Sequence, residues 1–115
     1  MLIELLTKKY PGMRLWLTQR LSAVVMVVYL FLVLLILVIR QPANYEEWLG
    51  LMSPWWWRVL TLVFFVSLFV HAWLGVRDVF KDYVFNLRLR AFLQIVVDML
   101  LIGYLCWVII ILWKL

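Results

Sequence analysis

The chain has 115 residues, of which 69% are hydrophobic, and its mean hydropathy is +1.07. A soluble domain averages about half apolar residues, so this composition predicts a membrane protein with no room for a separate soluble domain. The net charge of +5 does not indicate nucleic-acid binding, because the basic residues stand at the ends of apolar runs, where they orient membrane helices. The single cysteine, Cys106, excludes an intrachain disulfide, and we expect it to be a small buried hydrophobe.

Three apolar runs follow one another, each about as long as the ~20 residues that cross the hydrocarbon core. The predicted order is a basic lead at 1–16, spans at 17–40, 55–79 and 90–113, and loops at 41–54 and 80–89. The first run is too long for a cleaved signal peptide, and no small-residue cleavage site follows it. Because backbone groups in lipid need internal hydrogen bonds, the predicted fold class is all-α and integral to the membrane, with three transmembrane helices.

The 11 basic residues divide eight to three between the two ends of the predicted spans. The larger group lies in or beside the lead and the second loop: Lys8, Lys9, Arg14, Arg20, Arg77, Lys81, Arg88 and Arg90. The smaller group is Arg40, Arg58 and Lys114. The positive-inside rule therefore predicts a cytoplasmic N-terminus and second loop. The tryptophans at 48 and 55–57 are more typical of an outer interfacial belt than of an aromatic ligand box.

The only histidine, His71, lies inside the second predicted span, roughly 9 Å of helix rise before Arg77. An ionisable side chain at that depth costs a few kcal/mol unless something compensates it. Three interpretations stay open: a core histidine bonded to a neighbouring helix, a proton relay, or a haem ligand through neutral imidazole. Ser67 and Gly75 lie one turn away on either side, which suits a flat group or a second helix. Ser67 is also a candidate to orient a ligating ring.

Two segments of the sequence match a known pattern. The first is His71-Ala-Trp-Leu-Gly75 followed by Asp82-Tyr83-Val84, and the second is the arginine in Gln19-Arg20-Leu21-Ser22-Ala23. Together they resemble the H-x-x-x-G … D-Y-V pattern and the first-span arginine of the small membrane-anchor subunit of succinate dehydrogenase, respiratory complex II. Length and three-span layout agree over the whole chain. One departure is Asp78, where such proteins tend to carry an amide.

The resemblance implies specific roles for four residues. His71 would be one axial ligand of a haem b, and the larger membrane-anchor cytochrome b subunit would supply the other histidine. Arg20 would pair with a haem propionate. Tyr83 would hydrogen-bond a carbonyl of ubiquinone, with Asp82 in the polar wall of that site. From the residues alone, the preferred interpretation of Arg20 is a snorkelling anchor, and Tyr83 can be an interfacial tyrosine and Asp82 a solvated charge.

The resemblance also implies partners and a location. The chain would join a heteromeric helical bundle in a bacterial inner membrane, with its C-terminus in the periplasm, together with iron–sulfur and flavoprotein subunits. It has no cysteine set for an iron–sulfur cluster and no dinucleotide-binding fingerprint, so it would not oxidise succinate alone.

Three alternative functions remain open from the sequence. They are an anchor of a quinol:fumarate reductase, a small proton-coupled transporter that uses the intramembrane Asp98, and a structural assembly factor. For Asp98 itself we expect a hydrogen bond to another helix, with a proton path as the second interpretation.

Overall fold

A computed structural model describes residues 12–115. Lys8, Lys9 and most of the predicted basic lead lie outside the described residues. The described part is helical throughout, with short connections: α1 is Met13–Arg40, α2 is Tyr45–Met52, α3 is Trp55–Tyr83 and α4 is Leu87–Lys114. Helices α1, α3 and α4 are long and apolar enough to cross a membrane. The predicted all-α membrane fold is confirmed.

Side-chain caps mark the starts of α2 and α4, whereas α1 and α3 begin without one. The predicted loop 41–54 contains α2, whose first turn is capped by the Asn44 side chain accepting from the amide of Glu47 at 2.9 Å. Helix α4 begins after Asn86, whose side chain accepts from the amides of Arg88 and Leu89. A charged residue does not stop a helix, so α3 continues beyond the second predicted span as far as Tyr83.

Helix α3 lies between α1 and α4 and contacts both. On the α1 side, the ring of Tyr29 stacks on Trp57 and Phe64 with centroid distances of 5.3 and 4.5 Å. Its hydroxyl is 2.7 Å from the hydroxyl oxygen of Thr61. Within the described residues the only buried hydrophobic side chains are Trp57 and Leu74. Most of the apolar surface of the three long helices therefore faces outward, as expected where lipid or partner helices complete the packing.

Next to Trp57, at the same end of the bundle, Arg58 connects the start of α3 to the end of α4. Its Nη1 donates a hydrogen bond to the carbonyl oxygen of Leu112 at 3.2 Å. The last carbonyls of a helix lack intrahelical partners, and a cation there also meets the negative end of the helix dipole. Arg58 therefore closes the final turn of α4.

We expect Arg58→Met to destabilise that turn by about 1–2 kcal/mol, the value of a hydrogen bond to a charged group plus the dipole interaction. Amide hydrogen exchange of residues 109–114, measured in lipid nanodiscs, should become faster. The control is Arg40→Met, because Arg40 is an exposed arginine in the last turn of α1. Equal exchange in the parent and the Arg58 variant would contradict the capping role.

Candidate functional site

His71 lies in an open groove of about 550 Å³ formed by α1, α3 and one residue of α4. The lining residues are Gln19, His71, Ala72, Gly75, Val76, Val79, Phe80 and Val97. Only the glutamine and the histidine among them are polar. The imidazole is therefore held in an apolar surface that a flat, largely apolar group or a further helix can cover.

The imidazole is bound from α1 by Ser22. The Ser22 side chain is buried, and its Oγ is 3.2 Å from Nδ1 of His71. The same hydroxyl donates to the backbone carbonyl of Gln19 at 3.0 Å. A serine hydroxyl has one proton, so with that proton on the Gln19 carbonyl, Oγ accepts from Nδ1–H. In a neutral ring the lone pair then lies on Nε2, which is the nitrogen that this tautomer offers to a metal.

The expected orienting residue was Ser67, one turn from His71 on the same helix, but the hydroxyl that contacts the ring belongs to Ser22. Sequence analysis missed this contact because the two residues are 49 positions apart and meet only when α1 packs on α3. A serine in a membrane helix does not by itself indicate a contact with a histidine, since small polar residues are common at helix contacts in membranes.

Gly75 lies one turn from His71 towards the charged end of α3. A Cβ built there would be 3.8 Å from Nε2 of Gln19, which is an ordinary van der Waals distance. Packing of α1 on α3 therefore does not require a glycine at this position. The open surface that Gly75 provides beside the histidine remains available to a group from outside the chain.

Arg20 does not line the groove, although it follows Gln19 directly in α1. Its side chain is exposed, and its guanidinium lies over the ring of Trp16, 5.4 Å from the centroid. Arg77 lies in the same way over Trp73 at 5.7 Å. A cation–π contact uses the face of the guanidinium and leaves its in-plane N–H donors free to bind an anion.

Asp82 and Tyr83 lie in the last turn of α3, roughly 18 Å along the helix from His71. Both side chains are exposed, and Tyr83 is 77% exposed. The structure therefore does not bring them into the His71 groove. Arg90, which the sequence analysis did not single out, fixes the turn beside them. Its Nη2 and Nε donate to the carbonyl oxygen of Val84 at 2.8 and 3.0 Å.

Asp98 lies on a different face, in an apolar groove of about 290 Å³ between α3 and α4. Nε2 of Gln94 donates to its Oδ1 at 2.8 Å. Gln94 is one turn earlier in α4 itself, so within the described residues the bond to Asp98 is intrahelical and the expected bond to another helix is not seen. Cys106 is also not buried within the chain, since its side chain is exposed on the outside of α4.

The residues suit a cofactor that brings its own metal ligands. Within the described range 12–115, no three His, Cys, Asp or Glu side chains are grouped to hold a metal ion. One imidazole with Nδ1 near the Ser22 hydroxyl, in an apolar groove beside a glycine, instead suits a tetrapyrrole metal. The donor set therefore fits a haem as the group that His71 would hold.

Fold and site together define a class: a multi-pass α-helical membrane protein with one intramembrane histidine on a face open to a partner. Residues 4–112 match the family described as succinate dehydrogenase/fumarate reductase transmembrane subunit. The chain is also 36% identical over 102 residues to the succinate dehydrogenase hydrophobic membrane anchor subunit of Coxiella burnetii, with 89% of each chain covered. The chain therefore belongs to the succinate dehydrogenase/fumarate reductase transmembrane subunit family, and the resemblance found in its sequence is confirmed.

Proposed function

We propose that the chain anchors succinate dehydrogenase in a bacterial inner membrane, holds a haem b jointly with a larger anchor subunit and contributes to the ubiquinone-reduction site. The observation that carries the haem assignment is the bond between Ser22 and His71. It favours an imidazole with Nε2 free in an otherwise apolar groove. A proton relay would need further titratable groups in contact with the ring, and the residues that line the groove include no titratable group other than His71 itself.

In this proposal His71 would hold the haem iron through Nε2, and Ser22 would fix the ring orientation and tautomer. Arg20 would donate N–H groups to a propionate carboxylate, with its guanidinium supported by Trp16. A haem bound here would supply a one-electron carrier. A second histidine ligand would have to come from a partner subunit, because this chain has a single histidine.

Tyr83 is assigned to ubiquinone because a phenol donates a hydrogen bond without bringing a charge into the site. A donor of this kind stabilises the negative charge that develops on a quinone carbonyl oxygen during reduction. The exposed end of α3 suits this role, since the protons for the reduction come from water. Asp82 precedes Tyr83 in the same exposed turn, and its carboxylate would form part of the polar wall of the site.

The charged end of α3 and the start of α4 would face the cytoplasm by the positive-inside rule. Arg77, Lys81 and Arg90 line one open pocket there. We propose that this basic surface docks the iron–sulfur subunit, which passes electrons from the flavoprotein subunit to quinone. The C-terminus would then be periplasmic.

The function can be tested by deleting the gene and complementing it with the parent chain. We expect membranes of the deletion strain to lose succinate-dependent ubiquinone reduction and the complemented strain to regain it. The family description covers fumarate reductases too, so quinol-dependent fumarate reduction is measured in parallel. Loss of quinol-dependent fumarate reduction alone would favour the fumarate reductase alternative. If the deletion strain kept both activities, the anchor function would be overturned.

A second prediction concerns the orientation of the histidine. We expect Ser22→Ala to weaken haem binding by roughly 10-fold or more, because removing a group that orients a metal ligand typically costs roughly 10- to 100-fold in affinity. Haem content per purified complex measures this. The matched control is Ser67→Ala, which also removes a serine hydroxyl, but at the position one turn before His71 on α3. Equal haem loss in the two variants would contradict the assignment of Ser22.

A further inference from the structure

The side chain of Gln19 is the second polar group in the His71 groove, and the proposed function gives it no role. Its Oε1 is buried and has no hydrogen-bond partner among the described residues. That oxygen is a hydrogen-bond acceptor enclosed by the chain, so a group in the groove would not pair with it. The atom of the amide that lies beside Gly75 is Nε2, which is a donor.

The position of Gln19 relative to His71 is fixed by two contacts. Its backbone carbonyl accepts from Ser22, whose hydroxyl oxygen is bonded to the imidazole. Its Nε2 lies over Gly75, 3.8 Å from where a Cβ would be. The amide is therefore one helical turn from the histidine, towards the charged end of α3, on the glycine surface that a flat ligand would cover.

The chemistry of the amide indicates what it binds. The remaining side chains that line the groove are Ala72, Val76, Val79, Phe80 and Val97, and none of them has a donor or acceptor to offer. A primary amide has two N–H donors on its nitrogen, and in Gln19 that nitrogen is the amide atom beside Gly75. A neutral donor can bind a carboxylate in an apolar groove without adding a second buried charge.

We propose that the Gln19 amide donates a hydrogen bond to a carboxylate of the group that His71 ligates, and so positions that group and raises its reduction potential. The inference rests on the haem function proposed above, and it adds a residue to it. A hydrogen bond to a carboxylate draws negative charge away from the iron. The oxidised, more positive state is then stabilised less, so the potential is higher. Hydrogen bonding around the cofactor is one of the means by which proteins set such potentials.

The test uses the purified complex carrying Gln19→Leu or Gln19→Met. Both substitutions remove the amide, and the unbranched methionine keeps nearly the length of glutamine. The measurements are the haem midpoint potential by redox titration and the propionate bending band in resonance Raman spectra. The matched control is Gln94→Leu, because Gln94 is the glutamine on α4 that pairs with Asp98 and does not line the groove.

We expect both Gln19 variants to retain haem, to show a lower midpoint potential and to shift the propionate band, while the control matches the parent. A lowered potential with an unmoved propionate band would mean that the carboxylate belongs to a partner residue, and it would overturn the assignment to the ligated group. Parental values in both Gln19 variants, or complete loss of haem from both, would overturn the positioning role. Absence of haem from the parent complex would instead overturn the proposed function itself.

Discussion

Replacing His71 with alanine is expected to leave the assembled complex almost without haem. His71 is the chain's only histidine, and its imidazole would supply half of the axial pair in the proposed site. Changing a group that merely supports a metal ligand costs roughly 10- to 100-fold in affinity, so removing the ligand itself should reduce haem content to near background. Pyridine haemochrome analysis of the purified complex measures the loss.

The control for this variant is chemical rescue. The alanine leaves room for a free imidazole beside Gly75, so added imidazole should restore part of the low-spin spectrum if the histidine acts as a ligand. Subunit composition is checked on the same sample, because the His71–Ser22 bond also joins α1 to α3. Full haem occupancy with a parental spectrum in His71→Ala would contradict ligation by this residue.

Replacing Tyr83 with phenylalanine is expected to lower ubiquinone reduction by roughly 10- to 100-fold while haem content stays at the parent level. Loss of one donor to a developing oxyanion costs roughly 100- to 1,000-fold at an enclosed site. The effect should be smaller at the exposed end of a helix, where water competes for the quinone oxygen. The substitution removes only the hydroxyl, so the packing of the ring is retained. Steady-state turnover with a soluble ubiquinone analogue measures the effect.

Tyr45→Phe is the matched control for this experiment. Tyr45 is also a highly exposed tyrosine, at 68% against 77% for Tyr83, but it begins α2 near the other end of the bundle. Turnover in this control should equal that of the parent. Parental turnover in Tyr83→Phe would remove the phenol from the quinone site and leave the haem assignment intact.

The membrane fold could be predicted because lipid leaves the backbone few options. Long uncharged runs are directly visible in the sequence, and each must form a helix to satisfy its own hydrogen bonds. The helix ends were less predictable. Asn44 starts a short helix inside a predicted loop, and α3 continues through Arg77 and Lys81 to Tyr83. Hydropathy detects where lipid contact ends, whereas caps and turns decide where the helix ends.

The candidate site could also be predicted in part from the sequence. A lone intramembrane histidine is costly, so His71 could be selected as a candidate functional residue from its position alone. Its hydroxyl partner and the adjacent amide could not be identified, because Ser22 and Gln19 reach the groove only through the packing of α1 on α3. The intrahelical bond of Asp98 to Gln94, one turn away in α4, was also not predicted.

The small amount of buried surface within this chain is consistent with assembly into a larger bundle. Trp57, Leu74 and Ser22 are the only buried side chains among the described residues, and the His71 groove is open on one side. In a membrane, helices associate through close packing and interhelical hydrogen bonds. A partner helix over the groove would provide both kinds of contact. We therefore expect the larger anchor subunit to pack against this face.

The central claim is that a haem lies between His71 and a histidine of the partner subunit. The most direct test is to purify the assembled complex and measure its haem content together with near-infrared magnetic circular dichroism, which reports the axial ligands of a low-spin ferric haem. We predict one b-type haem for each copy of this chain, with two imidazole ligands. An active complex without porphyrin, or one whose haem lacks bis-imidazole ligation, would contradict the account.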